Sequence, residues 1–304
     1  DARYILPLGV LTQVGMTANA RTYEKLIRKL LANDMAEAKE LGLYIHSEIK
    51  NHAPSLVKYT EPSKYESDTY KDIKETINGI IINSTSKSDI KIANSQKEVE
   101  LVSYTEDFFD NLIALLVMKT SNLSYSEAKL TVKRLDDNKK TTIFDQSIKY
   151  LNVHDTLLRE FEIGDFEFNI LISSTAFAQL KRHRISTLVD GGYSLGLGTT
   201  IPQSIIDVGL KDYFDQKIEM VNDFYSSTAV KYPSAKDYIL TNAHRKNVYF
   251  KCNFRELVHI CRLRMDKHSQ WDIRNIATQM ASEVKKRLKI VDNLLVGKGD
   301  FIKE

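Results

Sequence analysis

Cysteine is nearly missing from this chain: Cys252 and Cys261 are the only two among 304 residues. Their spacing matches neither a metal-binding nor a redox pair, and two cysteines provide no disulfide framework. Both are expected to be reduced and buried, and no metal site is expected. Charge of one sign is equally scarce. The 43 Lys and Arg against 40 Asp and Glu leave a net +3, too little for a nucleic-acid footprint, and exposed aromatics are not interleaved with the cations. Long hydrophobic runs are absent as well. The longest, Leu112 to Met118, falls far short of a membrane span, and no amino-terminal hydrophobic targeting segment is visible. What is present, 42% apolar and 27% charged residues, describes a globular chain expected in the cytoplasm, with material for one large or two ordinary domains.

The organisation along the chain is uneven. Residues 59–98 belong to a polar stretch, beginning near Asn51, rich in Lys, Ser, Asn and Asp with Pro54 and Pro62. Its only strand-like patches are Gly79 to Ile82 and Ile90 to Ala93, so a linker or exposed insertion is expected. A domain over 99–304 then opens with a strand at Val99 to Tyr104. Thr105 is a candidate cap for a helix carrying Phe108, Phe109, Leu112, Leu115 and Leu116, and Ser124 with Glu127 forms a capping box. A third helix ends over Asp145 to Tyr150. Farther on, Tyr213, Phe214, Ile218, Val221 and Phe224 mark one face of a long amphipathic helix broken at Pro233. Val248 to Cys252 reads as a strand leading into a helix headed by Asn253, on which Arg255, His259 and Arg262 share a face.

The densest chemistry lies between Phe166 and Ser204. Alternation at Phe166, Phe168, Ile170 and Ile172 predicts a strand, and Ser174 to Leu180 a short helix delivering Lys181, Arg182, His183 and Arg184. Gly191, Gly192, Gly196 and Gly198 follow. A glycine-rich turn lets backbone N–H groups approach an anion closely, so cations beside it suggest a phosphate site. A solvated basic surface is the plain alternative.

Spacing over a longer window is more specific. His154-Asp155-Thr156, a turn at Gly164-Asp165, then Gln179-x-x-Arg182-His183-Arg184 resembles the signature of the flavin-dependent thymidylate synthases: His-x-Ser/Thr, a strand, then Gln-x-x-Arg-His-Arg-x-x-Ser-x-Asn-Glu-x-Ser-x-Arg-Tyr. The second half departs from it. Thr187 stands at the first serine, Val189 at the asparagine, Asp190 at the glutamate, Gly192 at the second serine, and Ser194 and Leu195 at the Arg-Tyr pair. The family uses the end of this loop to hold dUMP, so the lost arginine and serine remove charge-assisted contacts. Asn253-x-Arg255 and Ser269-Gln270-Trp271-Asp272-Ile273-Arg274 resemble the family's Asn-x-Arg and Ala-Gln-Trp-Glu-Ile-Arg. Trp271 itself reads as a packing anchor.

The amino-terminal block resembles the carboxy-terminal third of the same family. Ala2-Arg3-Tyr4-Ile5-Leu6-Pro7 is followed by Asn19-Ala20-Arg21 heading a helix with Leu26, Ile27, Leu30 and Leu31 on one face. Tyr238-Ile239-Leu240 and Asn253-Phe254-Arg255 repeat these elements at one common offset of 234 residues, an internal repeat. Residues 1–58 then read as the end of a first repeat and 99–304 as a nearly complete second, which implies further sequence ahead of Asp1. Leu30 stands at the equivalent of Arg264, and Asp237 at the equivalent of Arg3. Each copy lacks an arginine that the other keeps.

The resemblance implies an α+β fold with an antiparallel sheet flanked by long helices, and methylation of dUMP to dTMP with FAD as cofactor and NADPH and methylenetetrahydrofolate as co-substrates. It implies flavin contacts at His154, Thr156, Arg182, His183, Arg184, Asp190, Asn253, Arg255 and His259, and dUMP contacts at Arg3, Gln179, Arg182 and Arg264. No covalent nucleophile is assigned. Family active sites form between subunits, so a tandem chain implies a pseudo-tetramer in which half of the sites are free to decay. A catalytically silent flavin- or nucleotide-binding relative and a structural subunit of a synthase assembly are the alternatives.

Overall fold

The computed structural model describes residues 1–84 and 97–301. Four helices come first: α1 (Ala20–Leu31), α2 (Ala36–His52), α3 (Lys64–Ser67) and α4 (Thr69–Ser84). Strand β1 (Val99–Tyr104) precedes helices α5 (Phe108–Thr120), α6 (Tyr125–Val132) and α7 (Asp137–Ile148). Strand β2 (Asp165–Ser173), helix α8 (Ser174–Leu180), strand β3 (Ser186–Tyr193) and helices α9 (Gln203–Asp207) and α10 (Lys211–Lys231) follow. Strand β4 (Arg245–Asn253) and helices α11 (Phe254–Arg264) and α12 (Trp271–Lys285) complete the order. The chain divides into two compact units, one of Asp1–Leu6, Ser95–Glu219 and Thr241–Glu304, the other of Pro7–Asn94 and Met220–Leu240.

The larger unit is built on an antiparallel sheet of order β1-β2-β4-β3. Its register lines up the alternating apolar residues that the sequence displays. Phe166 faces Cys252, Phe168 faces Phe250, and Ile170 faces Val248, all buried. Because side chains alternate along a strand, these pairs share one face of the sheet. Against that face pack Phe108, Leu112 and Ile113 of α5, Phe254, Leu257 and Cys261 of α11, and Ile276 and Met280 of α12. Cys252 and Cys261 are free and buried as expected. The turn before β2 needs glycine, since a Cβ on Gly164 would lie 2.3 Å from Cδ2 of Phe108.

A polar knot ties the first residues to this unit. Tyr4 Oη (2.9 Å) and Ser173 Oγ (2.5 Å) both donate to Asp272 Oδ2, and Gln270 Nε2 donates to Tyr4 Oη at 2.7 Å. Burial pushes the Asp272 carboxyl up from its ordinary value. Trp271 stacks on Tyr4, ring centroids 5.4 Å apart, and so anchors the start of α12.

Several sequence expectations change here. Gly79 to Ile82 lies within helix α4, since a short apolar run carries no period that separates strand from helix; Ile90 to Ala93 lies outside the described residues. Thr105 does not cap α5: its hydroxyl accepts from the Asp165 N–H, and the N-cap position is Asp107. Ser124 and Glu127 do form the capping box of α6. On α10 only Phe214 and Ile218 of the proposed stripe are buried, while Tyr213 and Phe224 are exposed.

The smaller unit holds the α1–α2 hairpin. Glu24 accepts from the Lys58 and Tyr59 N–H groups at 3.0 and 3.1 Å, and Leu8 N donates to the Leu240 carbonyl at 2.7 Å. Two stretches set 234 residues apart in sequence share some local structure. The 3₁₀ turns Ala2–Ile5 and Lys236–Ile239 correspond, and Asn19 and Asn253 each cap the following helix through a bond from the third residue on. The segment between them diverges. Residues 245–253 form β4, whereas 11–19 form no strand, with Leu11 and Val14 almost fully exposed.

Candidate functional site

Helix α11 gathers most of the candidate residues because it begins where β4 ends and carries its polar side chains on one face. Asn253 Oδ1 accepts from Glu256 N at 2.9 Å, which fixes where the helix starts. Arg255, one turn in, donates from Nε to the Leu157 carbonyl at 2.8 Å and from Nη1 to Glu162 at 2.7 Å. Arg262, two turns farther, donates to the Asp155 carbonyl at 2.5 Å. These two arginines clamp the backbone of the 152–158 loop onto the helix. Between loop and helix lies a cavity of about 220 Å³ whose walls include His154, Thr156, Arg255, His259, Arg262 and Lys298.

A second group meets at His183. The imidazole is buried and shares a hydrogen bond with Glu256 Oε1 through Nδ1 at 3.0 Å. Its Nε2 receives Arg264 Nε, also at 3.0 Å. Because an arginine can only donate, Nε2 is the acceptor and the proton sits on Nδ1, aimed at the carboxylate. Arg264 Nη2 also reaches the Gln179 carbonyl at 3.2 Å. Burial, reinforced by the nearby Arg182 charge, lowers the Arg264 guanidinium from its usual value. The two groups adjoin, since the His183 and His259 rings meet edge to face at 5.9 Å.

His259 is held below its ordinary value of 6.5, first by burial and further by His183, Arg264 and Arg262, with Glu256 opposing. The folded state therefore favours the neutral ring. As pH falls below 6.5 the unfolded chain takes up this proton first, so the contribution to stability is present above that value and lost beneath it. In an NMR titration His259 should show a midpoint under 6.5, and Glu256→Gln should lower it further by removing the opposing charge. A midpoint at or above 6.5 would contradict this.

Other candidates lie elsewhere or are otherwise engaged. Arg182 and Arg184 are exposed, and only His183 of that trio turns inward, so the four donors do not arrive together. Asp190 pairs with Lys246 at 2.6 Å, and Lys246 lies over the rings of Phe177 and Tyr193. Arg3 is exposed on its 3₁₀ turn, its carbonyl accepting from Asn242 Nδ2. Of the expected glycine-rich turn, Gly191 and Gly192 lie in strand β3, which pairs with β4 from Ser186 to Tyr193 with a register shift after Asp190, while Gly196 lies in the 3₁₀ turn Leu195–Leu197 and Gly198 follows it. Gly192 takes φ +77° inside that shift, so its lack of a Cβ serves the strand's irregularity. Sequence reasoning did not single out Glu256, Glu162 or Lys246. The spacing of Glu256 from Asn253, third residue after a cap, was the one signal available, and it points only to helix capping.

This antiparallel α+β unit, with a cavity beside α11, falls within a known sequence family. Residues 100–288 match the family described as thymidylate synthase complementing protein. The chain belongs to that family. A UPF0159 protein of Chlamydia muridarum is 26% identical over 302 residues, covering 95% of this chain and 56% of that protein. A UPF0159 protein of Thermoplasma acidophilum is 23% identical, covering 94% and 56%. This chain thus spans little more than half the length of these relatives. The flavin-dependent thymidylate synthase of Saccharolobus solfataricus is 28% identical over 205 residues, covering 62% of this chain and 72% of that enzyme. Among solved structures, the UMP/dUMP methylase PolB from Streptomyces cacaoi, bound with 5-Br dUMP, superposes with TM-score 0.51 at 14% identity, covering 66% of this chain and 95% of that one. That likeness concerns the fold. Among the described residues no helix is long and apolar enough to cross a membrane, and no cluster of acidic, histidine and cysteine residues forms a metal site.

Proposed function

We propose that the chain contributes FAD and dUMP contacts to a flavin-dependent thymidylate synthase, methylating dUMP to dTMP with methylenetetrahydrofolate and NADPH. The observation that carries this reading is the shared cavity wall of His154, Thr156, Arg255 and His259, residues separated by about a hundred positions in sequence. Its donors suit a polar heteroaromatic ring bearing anionic groups. At about 220 Å³ the cavity is smaller than the roughly 300–1,000 Å³ of a complete small-molecule site, so it would receive one portion of the cofactor.

FAD would supply the redox chemistry, and the protein would supply orientation and electrostatics. Arg255 and His259 would orient the bound ring, and the His183–Glu256 pair would hold Arg264 in position through Nε2. Arg264, with Arg182 and Gln179, would face the nucleotide. The reciprocal losses at Leu30 and Asp237 support a tandem arrangement, as do the matching turns and asparagine caps of the two copies, with some dUMP contacts on each repeat and half of the sites decayed. Titration of the full-length protein with dUMP should then give one site per two repeats. Purified protein should show flavin absorbance and form dTMP from dUMP. Flavin absorbance without dTMP would favour a silent binding relative, for which the altered Val189 to Leu195 segment speaks, and a colourless protein lacking activity would sink the proposal.

A further inference from the structure

One cation in the cavity wall is buried with part of its hydrogen-bonding capacity unused. Arg262 is only 9% exposed, and its Nη1 donates to the Asp155 carbonyl. Its Nε and Nη2 are screened from solvent and have no hydrogen-bond partner among the described residues. These are the two nitrogens whose N–H bonds run side by side along one edge of the guanidinium. That edge receives both oxygens of a carboxylate, or two of a phosphate, at once. A buried charged donor left unpaired is unfavourable, so an oxyanion reaching this edge would relieve it.

Local charge points the same way. Arg255 is already paired with Glu162, and the Asp155 carboxylate, which accepts from the Asn152 N–H at 2.8 Å and acts on Arg262 by its charge, is the acid of the wall, set against two further cations. Arg262 and Lys298 remain as cations in the wall. Both nitrogens are screened from solvent, and a neighbouring segment rests on the guanidinium. The Phe301 ring centroid lies 4.1 Å from the Arg262 guanidinium carbon, a cation–π contact, at the end of a short 3₁₀ turn over Lys298–Asp300. The turn is seated closely on the end of α11, since a Cβ on Gly297 would lie 2.8 Å from the Met265 carbonyl oxygen.

We propose that the Nε–Nη2 edge of Arg262 is an oxyanion subsite of this cavity, taking a phosphate or carboxylate group, and that residues 297–301, resting on the guanidinium through Phe301, form a strap that opens as the ligand enters. The subsite shares the cavity of the flavin reading and rests on that reading only in deepening it: it names the anionic contact that reading leaves unassigned. Lys298, carried on the strap, would follow the anion.

The test uses flavin-free full-length protein labelled with ¹⁵N-arginine, titrated with inorganic pyrophosphate and, separately, with glutarate. The two probes distinguish a phosphoryl from a carboxylate source. The Arg262 Nε resonance, assigned by its loss in Arg262→Lys or by its changed ring-current shift in Phe301→Ala, should move saturably with one of them. Arg262→Lys keeps the charge and loses the edge, and should bind that probe about tenfold or more weakly, tenfold being about 1.4 kcal/mol. Phe301→Ala should bind it more tightly, because the strap loses the ring contact that holds it closed. A purely structural strap would leave that affinity unchanged and would overturn the opening role. An Nε resonance that neither probe moves, or an Arg262→Lys protein that binds like the parent, would overturn the subsite. FAD uptake is read separately by visible absorbance. A chain that binds pyrophosphate at Arg262 and refuses FAD would lose the flavin reading and keep this one, and a chain that takes FAD with an unmoved resonance would do the reverse.

Discussion

Phe254→Ala should lower the unfolding free energy by about 3–5 kcal/mol, the usual cost of truncating a fully buried aromatic. Phe254 is 0% exposed, and its ring centroid lies 4.9 Å from that of Phe108, 5.8 Å from Phe166 and 6.2 Å from Phe161. It therefore joins α5, the start of β2 and the turn before β2 to the first turn of α11. Against a total stability of about 5–15 kcal/mol, the loss is a large fraction. Urea denaturation should show the midpoint falling with little change in slope. A change below about 1 kcal/mol would mean the three remaining rings relax into the space, which close packing in this core argues against. Because Phe254 stands between the Asn253 cap and Arg255, the same variant should loosen the cavity wall.

Arg255→Leu should have a large effect on the ligand and a small one on the fold. The guanidinium joins the Leu157 carbonyl to Glu162 across the base of the 152–158 loop, yet its side chain is 32% exposed. A hydrogen bond from the Arg255 guanidinium to a bound ligand would contribute about 1.5–3 kcal/mol, and 1.4 kcal/mol is tenfold in affinity, whereas the partly exposed internal pair is screened by solvent. On the flavin reading FAD retention should fall at least about tenfold, while the thermal midpoint moves by only a few degrees. Glu162→Gln retains a neutral acceptor for Arg255 and should lose less. Unchanged flavin content in Arg255→Leu would remove Arg255 from the site.

Much of the scaffold was legible because its signals are local. The alternation from Phe166 to Ile172 gave β2, the run Ser174 to Leu180 gave α8, and Asn253 gave the start of α11, each matching the structure. Ser124 and Glu127 announced α6 for the same reason: a cap and its partner lie within one turn. Failures arose where a local signal has two solutions. Gly191 and Gly192 suit an anion-binding turn as well as an irregular strand, and only pairing with β4 selects the strand. Tyr213 and Phe224 follow helical spacing, but spacing does not say which side meets a core, and both are exposed.

The candidate site was legible in its residues and not in their partners. His183, Arg255, His259 and Arg264 stand out by type and spacing. That Glu256 would hold His183, that Glu162 would take Arg255, and that Lys246 would take Asp190 depend on contacts between residues 56 to 93 positions apart. The same applies to the two stretches 234 residues apart: equal helix caps at Asn19 and Asn253 followed from sequence, while the different states of 11–19 and 245–253 did not, because a strand exists only where a neighbour completes its hydrogen bonds.

By itself the sequence determined many of the local elements, their order and the family, since periodicity, capping and motif spacing act within a few turns of chain. Tertiary structure alone decided which charges are neutralised and which remain unpaired. The energy of a buried ion is set by the groups folded around it, and for Arg262 those groups come from the distant 152–158 loop and the strap ending at Phe301.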